Sequence, residues 1–261
     1  MVKSAKSIVM GGLTHPGRVR AENEDCIVTR SDLGLAVLAD GMGGHQAGEV
    51  ASRMAVDAIA EFFSSQRRPA SGQKAADKSK AIAEAIQKAN AAIYEAAQTR
   101  PEYKGMGSTV VVAMFAGDRL CIGHVGDSRL YRFRGDALEQ LTKDHSVVQE
   151  LVNRGLFTPE EARQSIAKNL VTRALGVDQT IEADTAATTV QPDDLYLLCS
   201  DGLTDVVSDE QIAEILRHAG RDLDAAARNM IDRANEQGGP DNVSVILAGI
   251  DGQSAKRENR A

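Results

Sequence analysis

The stretch that decides the fold is residues 108–141, STVVVAMFAGDRLCIGHVGDSRLYRFRGDALEQL. Short β-branched and apolar runs, Ser108 to Phe115, Leu120 to Val125, Leu130 to Phe133 and Ala137 to Leu141, are separated by the Gly-Asp pairs at 117, 126 and 135. Glycine and aspartate are turn formers, so each pair punctuates two strands. The spacing predicts antiparallel strands in meander order. Outward from this block the texture changes. Upstream, residues 7–13 and 26–40 read as strands broken by polar turns. Residues 47–66 carry Val50, Met54, Ile59 and Phe62 or Phe63 at helical spacing, and residues 78–98 carry Ile82, Ile86, Ala89 and Ile93. A polar loop, 67–74, divides them.

Downstream, residues 144–176 return to helix and loop, with Thr158-Pro159-Glu160-Glu161 as a helix start. Strands are expected at 181–189, 194–199 and 242–250, with helices at 208–218 and 222–236. Residues 251–261 are polar and read as a frayed tail. Strands come in antiparallel runs and helices in pairs. That pattern predicts an α+β layered domain with stacked sheets rather than a doubly wound parallel sheet.

Composition narrows the function. The chain has 261 residues, 43% hydrophobic and 26% charged, enough for one sizeable domain. Aromatics make up 3% and Trp is absent, which disfavours nucleic-acid binding by base stacking. The net charge of −7 repels phosphate backbones and anionic lipid. A phosphorylated substrate would need local compensation from bound metal or an arginine. The three cysteines, Cys26, Cys121 and Cys199, have no C-x-x-C spacing and suit free thiols in a reducing compartment. No apolar run suits a signal peptide or a membrane span, so the expectation is a cytoplasmic, monomeric protein without membrane insertion.

One feature recurs along the chain. Short apolar strands abut aspartates: Leu38-Ala39-Asp40-Gly41, Val125-Gly126-Asp127-Ser128, Cys199-Ser200-Asp201-Gly202 and Gly239-Pro240-Asp241-Asn242, with Glu24-Asp25 near the start. Any one of them is an ordinary turn. As a set they would bring carboxylates to one sheet edge, where mutual repulsion calls for cations. Oxygen donors alone suit Mg²⁺ or Mn²⁺ rather than zinc. Gly41 would let the backbone approach closely enough for its carbonyl to serve as a ligand.

Seven segments then occur in order: Arg20-Ala21-Glu22-Asn23-Glu24-Asp25, Ala39-Asp40-Gly41-Met42-Gly43-Gly44-His45, Gly107-Ser108-Thr109, Gly126-Asp127-Ser128-Arg129, Leu141-Thr142-Lys143-Asp144-His145-Ser146, Ser200-Asp201-Gly202-Leu203 and Asp241-Asn242-Val243-Ser244. Together they resemble the PPM family of metal-dependent Ser/Thr protein phosphatases (type 2C) in its bacterial form, over about residues 8–250. The resemblance implies a four-layer α-β-β-α sandwich, two stacked antiparallel sheets flanked by helix pairs, forming a single domain over 1–250 with a variable flap at 144–176. It implies that Asp40 bridges two core metals. The Gly41 carbonyl, with Asp25 and Glu24 through water, would complete one of them, and Asp201 and Asp241 would hold the other. Asp127, with Asp201 and Asp205, matches a weaker third-metal site. Arg20 matches the arginine that grips the substrate phosphate.

Two cations about 3.5–4 Å apart generate hydroxide near neutral pH. The reaction so implied is direct attack of that hydroxide on phosphoserine or phosphothreonine, with Asp40, Asp201 and Asp241 as the catalytic carboxylates. The leaving alkoxide needs a proton. His45 is a candidate general acid; its alternative role is to position the Gly-rich loop. His145 reads as structural, and His15, His124 and His218 lack supporting context. Arg129 reads as a packing or pairing residue. Gly155 and Gly176 are candidate flap hinges. The rival reading is a catalytically inactive scaffold module, disfavoured because every expected ligand position carries its carboxylate. The implied partners are phosphorylated proteins, in particular a cognate Ser/Thr kinase or its forkhead-associated target.

Overall fold

The computed structural model describes residues 7–44, 47–65, 75–158, 161–162, 165, 167 and 170–251. Two antiparallel sheets stack face to face. One has the order β1-β11-β10-β7-β8 and the other β2-β3-β5-β6-β9, with β4 added on β3. In chain order, β1 is Ser7–His15, β2 Asp25–Arg30, β3 Leu35–Met42, β4 Gly107–Ser108, β5 Val110–Ala116 and β6 Arg119–Val125. They are followed by β7 Arg129–Arg134, β8 Ala137–Gln140, β9 Asp184–Thr189, β10 Leu195–Cys199 and β11 Val243–Asp251. Helices α1 (Ala47–Ser65) and α2 (Ala75–Thr99) cover the second sheet. Helices α5 (Asp209–Ala219) and α6 (Leu223–Glu236) cover the first. Two shorter helices, α3 (Val147–Asn153) and α4 (Asp201–Thr204), lie in connections.

Central strands are apolar on both faces because each face meets a different core. In β3, Leu35, Val37 and Ala39 pack toward α1 and α2, while Ala36 and Leu38 enter the layer between the sheets. In β10, Leu195, Leu197 and Cys199 face α5 and α6, while Tyr196 and Leu198 face the other sheet. Burying each Leu, Val or Ile contributes about 1.5–3 kcal/mol. This is the expected α-β-β-α sandwich.

One expectation is corrected. The strands of 108–141 do not form one meander. β5 pairs with β6, and β7 with β8, but β6 and β7 lie in different sheets. The Gly126-Asp127-Ser128 turn carries the chain from one layer to the other, with Gly126 at φ +101°. A Cβ there would meet Thr109 at 2.6 Å, so glycine is required sterically as well. Helix starts fared better. Ser208 and Gln211 form a reciprocal capping box on α5, and Thr158 and Glu161 exchange the same pair of bonds. Gly176 is no free hinge: it packs on Ile93 and its N–H donates to Asn90 Oδ1 at 2.8 Å. Gly155, at φ +69°, has open space around it. The tail beyond residue 251 and the loop 67–74 lie outside the described residues.

Candidate metal centre

The sandwich brings the distant acidic turns to one end. Asp25 and Asp40 are cross-strand partners on β2 and β3. Asp201 opens α4 directly after β10, and Asp241 precedes β11, the strand paired with β10. Asp127 sits in the turn between the sheets. Asp40, Asp127, Asp201 and Asp241, with Glu24, Arg20 and Gly41, line a cavity of about 220 Å³. A second cavity of about 390 Å³ adjoins it, where Asp127, Asp201 and Asp205 face α3 across Val148 and Val152. A larger cavity of about 470 Å³ opens between the first sheet and α5. Its acids are paired: Asp194 with Arg134, Asp136 with Arg217 and Asp193 with Arg221. The under-compensated acids therefore lie at the smaller cavity.

The carboxylates there are short of compensation. Burial pushes the Asp40 carboxyl well above its ordinary range, and the nearby Asp25, Asp201, Asp127 and Asp241 push it further. Asp201 is raised in the same way, by burial and then by Asp127, Asp205 and Asp241. Burial raises Asp25 to about 6 despite hydrogen bonds from Ser244 and Ser200. Asp127 is raised to about 7 by burial, with Asp144 adding to it. The buried Oδ1 atoms of Asp25 and Asp201 have no hydrogen-bond partner. Arg20 answers part of this charge, its Nη2 lying 2.8 Å from Asp241 Oδ2. An all-oxygen donor set with orphaned buried oxygens and too little positive charge fits hard divalent cations.

The scaffold around the acids is explicit. Asp40 N–H donates to Thr109 Oγ1 at 3.1 Å, and its carbonyl accepts from Thr109 N–H and Ser108 Oγ at 2.8 and 2.9 Å. Ser108 therefore supplies a working hydroxyl at its position. Ser200 Oγ donates to Asp25 Oδ2 at 2.8 Å. Asn242, buried beside Asp241, donates to the carbonyls of Pro16 and Glu22 and accepts Glu24 N–H at 2.8 Å. It thereby pins the loop that carries Arg20. Glu24 is half-buried, and its carboxylate accepts the Gly48 N–H at the start of α1. That bond caps α1 from outside and favours an anion there. The close approach at Gly41 serves α1 as well: a Cβ would meet Gly48 O at 2.0 Å.

The predicted residues Arg20, Glu24, Asp25, Asp40, Gly41, Asp127, Asp201, Asp205 and Asp241 thus converge at one end of the sheets. His45 lies outside the described residues. Arg129 pairs structurally, its guanidinium gripping both oxygens of Asp144 at 2.7–3.1 Å. Asn242, Ser200, Ser244 and Thr109 were not singled out as working residues by sequence reasoning. Their signal was adjacency: Asp241-Asn242 and Ser200-Asp201 are doublets. His124 was also passed over; its ring stacks on His145, centroids 4.7 Å apart.

Among the described residues no helix is long and apolar enough to cross a membrane. The protein phosphatase 2C family model matches residues 19–247. Serine/threonine phosphatase stp of Listeria innocua is 38% identical over 237 residues, covering 90% of this chain and 92% of that protein. Serine/threonine protein phosphatase PstP of Mycobacterium tuberculosis is 40% identical over 90% of this chain, which spans 43% of that longer protein. The structure of the PstP catalytic domain with two manganese ions superposes with a TM-score of 0.82 at 39% identity, covering 94% of this chain and 98% of that one. With the acidic cluster, the sandwich and these likenesses in agreement, the chain belongs to the protein phosphatase 2C family and is a metal-dependent serine/threonine protein phosphatase.

Proposed function

We infer that residues 1–250 form one phosphatase domain whose acidic cluster holds two core cations, Mn²⁺ or Mg²⁺, with a third more weakly. Asp40 is shared between the core ions. The Gly41 carbonyl, with Asp25 and Glu24 through water, serves one, and Asp201 and Asp241 serve the other. Asp127, Asp201 and Asp205 take the third. The observation that carries this reading is the ring of buried, under-compensated carboxylates around the 220 Å³ cavity. When bound, the cations supply a water activated toward hydroxide and neutralise phosphoryl charge.

The chain's own residues do the rest. Arg20 lines the cavity beside Asp241, which supports its role of donating charge-assisted hydrogen bonds to the phosphoryl oxygens. Asn242 holds the Arg20 loop in register with Asp241. Thr109 and Ser108 fix the Asp40 backbone so that its carboxylate is pre-aimed. His45 is the candidate donor of the leaving-group proton, and in that role His45→Gln should flatten the alkaline side of the rate profile, where a general acid loses its proton. The flap, 144–176, borders the second cavity and selects among peptides. The substrates are phosphorylated proteins in the cytoplasm, a cognate Ser/Thr kinase or its forkhead-associated target foremost, and the enzyme acts as a monomer.

The test is hydrolysis of a phosphothreonine peptide with Mn²⁺, with Mg²⁺ and with chelator, beside a phosphotyrosine peptide and a nucleotide. Metal-dependent turnover of the phosphothreonine peptide, lost in Asp241→Asn, is expected. Equal turnover in chelator, or in the variant, would contradict the reading.

A further inference from the structure

His145 is buried, 3% exposed, and its contacts reach three separate segments. Its backbone N–H donates to the Gly126 carbonyl at 2.9 Å, and its Nδ1 accepts the Gly126 N–H at 3.2 Å. Both backbone polar groups of the glycine before Asp127 are therefore held by one residue. The His145 carbonyl accepts Thr172 N–H at 2.7 Å, and Val147 N–H donates to Leu170 O at 2.9 Å, so the two ends of the flap are joined there. On the far side, Nε2 faces Asp184 Oδ2 at 3.4 Å, and Asp184 is held in turn by Arg173 at 2.8 Å.

His124, His145 and Asp184 are also the residue types of a metal site, with donor atoms within 4.8 Å of one another. The hydrogen bonding decides between the two readings. A backbone N–H can only donate, so Nδ1 of His145 must be the bare nitrogen and Nε2 carries the proton. A ligating Nε2 would require a proton on Nδ1, which would then oppose the Gly126 N–H. Asp184 Oδ1 is already engaged by Arg173 at 2.8 Å, and its Oδ2 faces the Nε2 side of His145.

We propose that His145 is a positioning residue that fixes the Gly126 peptide, and with it the aim of Asp127, to the closed base of the flap. Disturbing it loosens Asp127 and the flap base together, while Asp40, Asp201 and Asp241, held by other bonds, stay in place. The link to metal rests on Asp127 serving the third cation; the link to Gly126 does not. Two substitutions divide the imidazole. His145→Asn keeps an acceptor at the Nδ1 position and loses Nε2. His145→Gln keeps a donor near the Nε2 position and loses the Nδ1 acceptor.

Three readouts on the full chain test this. Nitrogen NMR of the wild type should show His145 as the Nε2–H tautomer; the Nδ1–H tautomer, with or without added Zn²⁺, would overturn the proposal. Hydrogen exchange of the Gly126 amide should quicken roughly tenfold in His145→Gln and stay near wild type in His145→Asn. Equal exchange in wild type and His145→Gln would overturn it. The Mn²⁺ concentration for half-maximal peptide turnover should rise in His145→Gln in the same direction as in Asp127→Ala, and not in His145→Asn. If Asp127→Ala leaves that concentration unchanged while His145→Gln still loosens Gly126, the third-site reading falls and the positioning role stands.

Discussion

Asp194 and Asp40 are both surrounded carboxylates near the ends of strands, and they are opposites. Asp194 is fully buried yet fully answered. Arg134 contacts both its oxygens at 2.6 and 2.7 Å, Tyr196 OH donates at 2.8 Å and Gln191 N–H at 2.7 Å. These hydrogen bonds overcome burial and hold its carboxyl below the usual range. Asp40 has aspartates for neighbours, and burial and repulsion drive its carboxyl up. The same side chain thus serves as a structural brace at one end of the sandwich and stands as an under-compensated acid lining the candidate metal centre at the other. Burial alone does not separate the two roles; the identity of the surrounding charges does.

Substitutions should break this pair in different currencies. The largest effect is expected from Asp40→Asn, which should remove Mn²⁺-dependent peptide hydrolysis almost entirely. In chelator the same variant should melt no lower than the wild type, because a repelling charge has gone. Asp194→Asn should do the reverse, lowering stability by about 3 kcal/mol by leaving Arg134 without its buried partner, with kcat per folded molecule near wild type. Denaturant titration beside steady-state kinetics checks both. If Asp40→Asn destabilises the metal-free protein as much as Asp194→Asn does, the contrast is wrong.

Arg20→Ala comes next. KM for a phosphopeptide should rise about tenfold or more, as a charge-assisted contact is lost, with a much smaller change in Mn²⁺ affinity. An equal loss of metal affinity would make Arg20 a brace for Asp241 rather than a phosphate contact.

The smallest effect is in pH dependence, and its sign differs between the two regions. Asp25 and Asp127, at about 6 and about 7, are raised above their unfolded values. The folded metal-free chain therefore binds more protons than the unfolded one across that range. Their stabilising contribution is complete below the ordinary carboxylate range and is lost as pH rises through about 6 to 7. Asp194, held low, contributes above the ordinary range and loses that contribution as pH falls. Chelated protein should therefore lose stability between about pH 5 and 7. Asp25→Asn with Asp127→Asn should flatten the slope, and Asp194→Asn should leave it.

Much of the layered fold was legible because the central strands are apolar on both faces and the helices carry a single apolar stripe. The switch of sheet at Gly126 was not. A Gly-Asp pair looks the same in a hairpin and in a crossover, and only packing against Thr109 distinguishes them. The acids of the centre were legible as a set, since Asp40, Asp127, Asp201 and Asp241 all flank apolar runs. Their supports were harder to see. Asn242 reaches Pro16 and Glu22 across most of the chain, and His145 reaches Gly126 through a ring nitrogen whose role depends on the fold. The resemblance implies a metal role through water for Glu24, while its bond to Gly48 also makes it a helix cap, a dual use that spacing could not reveal.

The central claim is that the raised carboxylates are an unfinished cation site. Calorimetric titration of Mn²⁺ into the metal-free chain near pH 6.5, repeated in buffers of different ionisation heat, tests it most directly. The account predicts binding accompanied by proton release, because Asp25 and Asp127, at about 6 and about 7, still hold protons there. It also predicts that Asp201→Asn sharply weakens binding. Binding without proton release, undiminished in Asp201→Asn, would contradict it.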